Sequence, residues 1–540
     1  MGFWKCPSLQ RWETRYTAHD LVPPAVGCFK PNRATTWSVG GSRGKFRMSL
    51  TRSSAPKSTH SRVFKGATLL TLSRVVGYGL SFVRNIVLAR MLTKADFGLS
   101  GAFATTILML ELSGRAGLPQ LIIRSPRGED VSFMASLQTL QLLGGVISAA
   151  LLLACSQPMA RLFGVPDATG SFAALALIPF LNSLWHLDNS RQQRELNFWP
   201  VSLIEVVPQV VITLAVWPVT RWLPDHRSIV VLLLARAVLA LAVTHLLAAR
   251  PFRLGWDEPT ISESLSWAWP FVLSGTVVFA SQQANQMVVG GAFSVAQLAG
   301  YSIASSLTSI PWFIVATVAG ALAMPVLARS QMVPKLLESR LRLLVELSAV
   351  IGVLLFISLS LSGEALIPLL YGKAYIGCGT YMVLMSAGVA LRLFGLSGVL
   401  VAMARGDSRN ELYANVWRCI VLPLALLAVR NGGSPATVAG CALLGEAAGV
   451  IVTLRRLRRV VTLTRAELLP AAGYLAGFML LTVALLLGQV QRLGVGSQLL
   501  IAVATVLFAL LVAAKLFPNL LSLFLSFGSA LRPRRAFLPR

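Results

Sequence analysis

Fourteen apolar runs, most of them close to the roughly 20 residues a helix needs to cross a bilayer core, divide this 540-residue chain. They fall near residues 66–88, 97–118, 135–155, 171–188, 200–218, 229–249, 268–290, 296–325, 343–362, 379–402, 412–430, 436–454, 470–489 and 497–517. The runs are continuous, which argues against the alternating pattern of an outer-membrane barrel. Only 13% of the residues are charged, about half the share of an ordinary soluble domain. The expected fold is an all-α polytopic membrane protein with about 14 transmembrane helices. Pro200, Pro208, Pro270, Pro311 and Pro325 lie in or at the ends of these runs. Spanning helices accept such breaks when neighbours satisfy the freed backbone groups.

The net charge of +27 is uneven, with 12 Lys and Arg against two acids in residues 1–65. Such basicity can mark a nucleic-acid binder. Here, however, most of the remaining excess lies in short connections between apolar runs, which is the pattern set by membrane topology and anionic lipid. The connections after even-numbered runs hold 17 Lys and Arg and those after odd-numbered runs hold eight, counting Arg430 at the end of run 11. This asymmetry places both termini in the cytoplasm, against an anionic inner leaflet, and no nucleic-acid partner is expected. Residues 1–65 lack the apolar core of a signal peptide. They read as a basic, disordered tail for which Met48 is an alternative start, or else as a membrane-surface tether; residues 518–540 form a second basic tail. The six cysteines show no CxxC pair or disulfide framework.

A short internal repeat organises the runs. ADFGLSGAF at residues 95–103 resembles QLAGYSIAS at residues 297–305. The offset contains six runs, and an even number predicts parallel repeats about an axis along the membrane normal. The expected domains are an N-lobe over 66–250, a C-lobe over 266–455, and two appended helices over 470–517.

Charge inside a spanning helix marks a cavity or a partner. The first two runs carry Arg74, Arg84, Glu111 and Arg115. Glu111 and Arg115 stand four residues apart on one face, so they either neutralise each other or line a cavity. Arg74 has no local partner and is expected to face a cavity; Arg84 either does the same farther along or snorkels to the surface. Gln282, Asn285 and Gln286 share one face of run 7, and the repeat offset maps Arg84 onto Gln286. That stripe is either hydrogen-bond glue between helices or cavity lining. Glu205, Arg236, Glu346, Arg392, Arg418 and Glu446 are further charges in apolar runs. Arg392 and Glu446 are expected to pair structurally. His186 and His245, near run ends, are weak pointers to a proton relay. With no GxxxxGK[ST] or HExxH in the chain, and a GxSxG spacing only at residues 40–44 in the basic tail, no catalytic residue, metal or cofactor is expected. The longest outward connection, residues 362–378, is too short for a catalytic domain.

Several of these stretches together resemble a known family. ARMLTKADFGL (89–99), AGLPQLIIR (116–124), RQQRELNFWP (191–200), AGYSIASSLTSIPW (299–312), AMPVLAR (323–329), LYGKAYIGCGTYMVLMSAG (370–388) and ARGDSRNEL (404–412) are similar to the oligosaccharide repeat-unit flippases of the polysaccharide transporter family, in the multidrug/oligosaccharidyl-lipid/polysaccharide exporter superfamily. One departure stands out: related sequences often place an acid near Gln286 in a DxxxxG pattern, and this chain has NQMVVGG.

The resemblance implies a non-enzymatic transporter of the bacterial inner membrane, serving exopolysaccharide, capsule or O-antigen synthesis. Its implied substrate is an oligosaccharide on a polyprenyl pyrophosphate, moved by alternating access of two lobes. Implied partners are a polysaccharide polymerase and chain-length or export proteins. Arginine suits a diphosphate because its planar, permanently charged fork donates bidentate bonds. The candidate substrate-binding residues are Arg74, Arg84, Glu111, Arg115, Gln282, Asn285 and Gln286. The rivals are a drug or cation antiporter of the same superfamily, and a non-transporting component of a polysaccharide synthase. A cation site would want free acids, yet the first two runs hold three of these arginines against one glutamate.

Overall fold

The computed structural model describes residues 57–115, 117–330, 333–407, 409–459, 465–488, 490 and 493–522. The N-terminal tail with Met48 and residues 523–540 lie outside this set, and for Glu111 and Arg115 only the backbone is described. All regular structure among the described residues is helical. The first half contains α1 (Lys57–Met91), α2 (Lys94–Arg115), α3 (Leu118–Arg124), α4 (Val131–Leu162), α5 (Thr169–Ala174), α6 (Leu177–Ser183), α7 (Asp188–Arg194), α8 (Trp199–Trp222) and α9 (Arg227–Leu246). The second contains α10 (Glu258–Ala292), α11 (Val295–Ser330), α12 (Pro334–Tyr371), α13 (Gly379–Ala404), α14 (Arg409–Arg418), α15 (Val421–Arg430) and α16 (Pro435–Leu457). Helices α17 (Arg465–Leu487) and α18 (Val495–Leu516) follow and pack on α12.

Helical stretches occupy all 14 apolar runs. Among the described residues 11 are long and apolar enough to cross a membrane, with α14 and α15 together forming one of them. A twelfth is the fourth run, which is broken and bends by 48° between Ser183 and Asp188. The helices α1 and α2, which include residues outside the described set, are not among these 11.

The break in the fourth run is held by a buried hydrogen-bond network. The Asp188 carboxylate is fully buried and accepts from Arg191 Nε at 2.6 Å, Gln192 Nε2 at 3.1 Å and the Ala249 backbone N–H at 2.8 Å. A buried carboxylate is tolerated when its lone pairs are filled in this way. The network ties α7 to the turn after α9, so the chain leaves the membrane path at residue 184. His186 and His245 pack edge to face at 5.4 Å beside Phe252 within this same knot.

The two repeat segments meet each other. Gly98 on α2 lies so close to α11 that a Cβ would stand 1.8 Å from the Val295 carbonyl oxygen, and one on Gly101 would stand 2.5 Å from Ser302 Oγ. Small residues of this kind let helix backbones approach in a membrane. Around this contact one apolar cluster crosses between the halves, joining Leu88, Phe97, Leu99 and Phe103 to Val289, Leu298, Tyr371 and Tyr375. A second cluster unites α11 to α13 with α16 to α18.

Candidate functional site

At the Met91 end the halves are closed by specific contacts. Phe82 and Tyr371 meet edge to face at 6.3 Å, Phe97 and Tyr375 at 6.2 Å, and Lys94 Nζ sits 5.6 Å above the Tyr375 ring. Arg90, in the last turn of α1, donates from Nε to the Leu370 carbonyl at 2.6 Å and from Nη2 to the Leu369 carbonyl. Those carbonyls belong to the last turn of α12, where helix oxygens lack intrahelical partners and a cation is favoured.

Farther along, α1 and α11 part and leave a cavity of about 480 Å³. Arg74 lines it with Thr71, Phe313, Thr317 and Gly320. The Arg74 side chain is exposed, and no carboxylate among the described residues lies within ion-pair distance of it. At the Met91 side of this cavity Tyr78 stacks on Phe313 with centroids 5.5 Å apart and planes 17° apart. Gly77 leaves room for Glu205 of α8, whose Cγ would lie 3.7 Å from a Cβ there.

Phe313 also lines a second cavity, of about 260 Å³, bounded by α10, α11, α13 and α16. Gln282, Asn285 and Gln286 all face it. Opposite them stands an ionic triad. Glu446 of α16 accepts from Arg392 of α13 on Oε1 and from Arg418 Nε of α14 on Oε2, the latter at 2.9 Å. Arg418 also donates to Asn415 Oδ1 at 2.7 Å, and the Arg392 guanidinium lies 5.5 Å from the centre of the Trp312 ring. Arg392 and Glu446 are thus paired as expected. The second arginine was not foreseeable from spacing, because it depends on α14 and α16 packing side by side.

Arg74 and the Gln–Asn–Gln stripe therefore lie in neighbouring cavities that meet at Phe313. Arg84 belongs to neither; it donates to Ser81 Oγ at 3.1 Å within its own helix. Glu111 and Arg115 end α2, and their side chains are outside the described residues. Tyr78, Phe313 and Arg90 are the contributors that the sequence reading did not single out. The first two carry no charge signal, and the third looks like an ordinary interfacial arginine.

A family model described as polysaccharide biosynthesis protein matches residues 87–380, more than half of the chain. The chain belongs to this family. It is 27% identical over 401 residues to the EPS I polysaccharide export inner membrane protein EpsE of Ralstonia solanacearum, a match covering 70% of this chain and 90% of that protein. It is also 27% identical over 175 residues to the amylovoran biosynthesis protein AmsL of Erwinia amylovora; that match spans 32% of this chain and 45% of the relative. Among solved structures, the lipid II flippase MurJ in an inward closed conformation superposes with a TM-score of 0.67 at 13% identity, covering 85% of this chain and 99% of MurJ. An inward-facing MATE family multidrug resistance transporter of the MOP superfamily gives 0.59 at 14% identity, over 72% and 95% of the two chains. This member of the polysaccharide biosynthesis protein family thus has the helical fold of MOP transporters, with its cavities between and within the halves.

Proposed function

We propose that this chain is a flippase that carries polyprenyl-pyrophosphate-linked oligosaccharide repeat units across the bacterial inner membrane by alternating access. The observation that carries the reading is Arg74: a permanent cation, exposed in an interlobe cavity, with no carboxylate of the described residues within ion-pair distance of it. A cation held at membrane depth is costly unless a cavity, water or an anion compensates it, and a pyrophosphate is the anion this substrate class supplies. Family membership and the names of EpsE and MurJ support the same class. The loop charges favour both termini in the cytoplasm, which would make the Met91 end the periplasmic one. The closed contacts there then describe a transporter shut to the periplasm, with Arg74 on the cytoplasmic side of the Tyr78–Phe313 stack. The drug or cation antiporter fits less well, because both oxygens of the one carboxylate in the polar cavity are occupied by arginines.

The test is the sidedness of lipid-linked oligosaccharide in a deletion strain. Accumulation on the cytoplasmic face, reversed by the wild-type chain but not by Arg74→Ala, is the expected result. A normal distribution in the deletion strain, or full rescue by Arg74→Ala, would reject the reading.

A further inference from the structure

We infer that the cavity between α10, α11, α13 and α16 is a carbohydrate compartment, which receives a sugar of the repeat unit while its pyrophosphate remains at Arg74. This rests on the flippase reading and adds a division of the substrate between two chambers that share Phe313.

The chemistry of the lining separates a sugar from an ion. A metal cation would need a free carboxylate, and both oxygens of Glu446 are bound to guanidinium groups. A free anion would need donors alone. The stripe formed by Gln282, Asn285 and Gln286 offers amide oxygens as well as N–H groups. Asn285 is decisive. The residue is 9% exposed, and its Oδ1 is buried without a hydrogen-bond partner although the residue lines the cavity. A buried polar atom of this kind is destabilising until it is satisfied. An acceptor is satisfied by an O–H, which a sugar presents and a phosphate dianion does not. Ser305, Ser309 and Tyr301 add hydroxyls that can both donate and accept.

The wall supplies the apolar part. Phe313 lies between the two cavities with Tyr78 stacked on its ring. An aromatic face suits the C–H face of a pyranose, and the rest of the lining mixes polar side chains with apolar ones, as a sugar with both kinds of surface requires. Both oxygens of the triad's carboxylate are engaged by guanidinium groups, so the pocket offers no free carboxylate to a cation. A saccharide seated here would stand beside the cavity of Arg74, across the Phe313 ring that lines both.

The experiment compares two lipids on the purified full-length chain in detergent, by native mass spectrometry. One is undecaprenyl pyrophosphate without a glycan. The other is the lipid-linked oligosaccharide extracted from the deletion strain. Gln282→Leu, at an exposed position, and Asn285→Leu, close to isosteric, are expected to bind the bare lipid as the wild type does and to lose about tenfold in affinity for the glycosylated one. Unchanged binding of the bare lipid also shows that the variants are folded. Wild-type affinity of both variants for the glycosylated lipid would overturn the inference. So would equal weakening for both lipids by Gln282→Leu, since the cavity would then serve the pyrophosphate. Wild-type chain that binds both lipids equally would overturn it while leaving the flippase reading in place. Wild-type chain that binds neither would overturn both.

Discussion

Glu446 is the residue whose loss should be felt most in stability. Its carboxylate is shared by Arg392 and Arg418, and all three side chains are largely buried. Removing one member of a buried ionic cluster leaves the others without compensation, at a cost of about 3–5 kcal/mol. Glu446→Gln should therefore lower the melting temperature of the detergent-solubilised protein sharply. Replacing Glu446, Arg392 and Arg418 together by Leu, Met and Met should recover most of that loss, because a matched apolar set no longer carries the desolvation penalty. A triple variant as unstable as the single one would show that the triad is not the source of the effect. Arg74, although also a charge in a spanning helix, should behave in the opposite way. Its guanidinium is exposed and has no carboxylate partner among the described residues, so Arg74→Ala should leave melting unchanged and act on transport alone.

At the scale of helices, the chain uses side chains to finish helix ends across the lobe boundary. Arg90 caps two terminal carbonyls of α12 from α1, which couples closure of the Met91 end to the satisfaction of those oxygens. Arg90→Ala should move the population toward opening at that end. Spin labels at Thr93 and Lys373 in a cysteine-free background should report a longer, broader distance distribution than in the wild type. At the opposite end Asp257 caps α10. It accepts from the Thr260 hydroxyl and backbone N–H, and from Arg127 at 3.4 Å. The hydrogen bond from the Thr260 side chain, helped by its backbone N–H and by Arg127, holds the Asp257 carboxyl below the usual aspartate value. A carboxyl whose pKa is lower folded than unfolded stabilises the fold fully above its unfolded pKa. The contribution is lost as pH falls through the folded value. The wild type should thus melt higher than Asp257→Asn at neutral pH, and the gap should close below the ordinary aspartate range. A gap that is constant with pH would assign the difference to packing. Arg191 and Arg194, counted in the sequence as loop charges, serve the same kind of purpose: Arg191 is buried on Asp188 and Glu195, and Arg194 holds the Ser125 carbonyl.

At the scale of the whole molecule, two cavities of different chemistry meet at one aromatic ring. The cavity between α1 and α11 presents Arg74, whereas the cavity inside the second half presents amides and hydroxyls beside the Arg392–Glu446–Arg418 triad. Closure at the Met91 end and opening around Arg74 are the two faces of one arrangement of the halves. The cross-lobe apolar cluster and the Gly98–Val295 approach gather at the closed end. The roughly tenfold loss expected of the Gln282 and Asn285 variants for glycosylated but not for bare lipid belongs to this scale, because it requires both chambers to hold one molecule at once.

The sequence alone determined the helical class, the 14 runs and the suspicion attached to Arg74 and the Gln282–Gln286 stripe, since apolar run length and buried charge are local quantities that lipid constrains directly. It also paired Arg392 with Glu446, because both fall near mid-membrane on runs 10 and 12 of one expected lobe. Tertiary structure alone decided the rest. That Arg418 completes the pair depends on the packing of α14 against α16. That the fourth run breaks depends on Asp188 meeting Ala249, far along the chain. That Arg74 and the amide stripe occupy separate cavities joined at Phe313 depends on how α1 and α11 diverge. Such facts are set by contacts between residues distant in the chain, and no local period or composition encodes them.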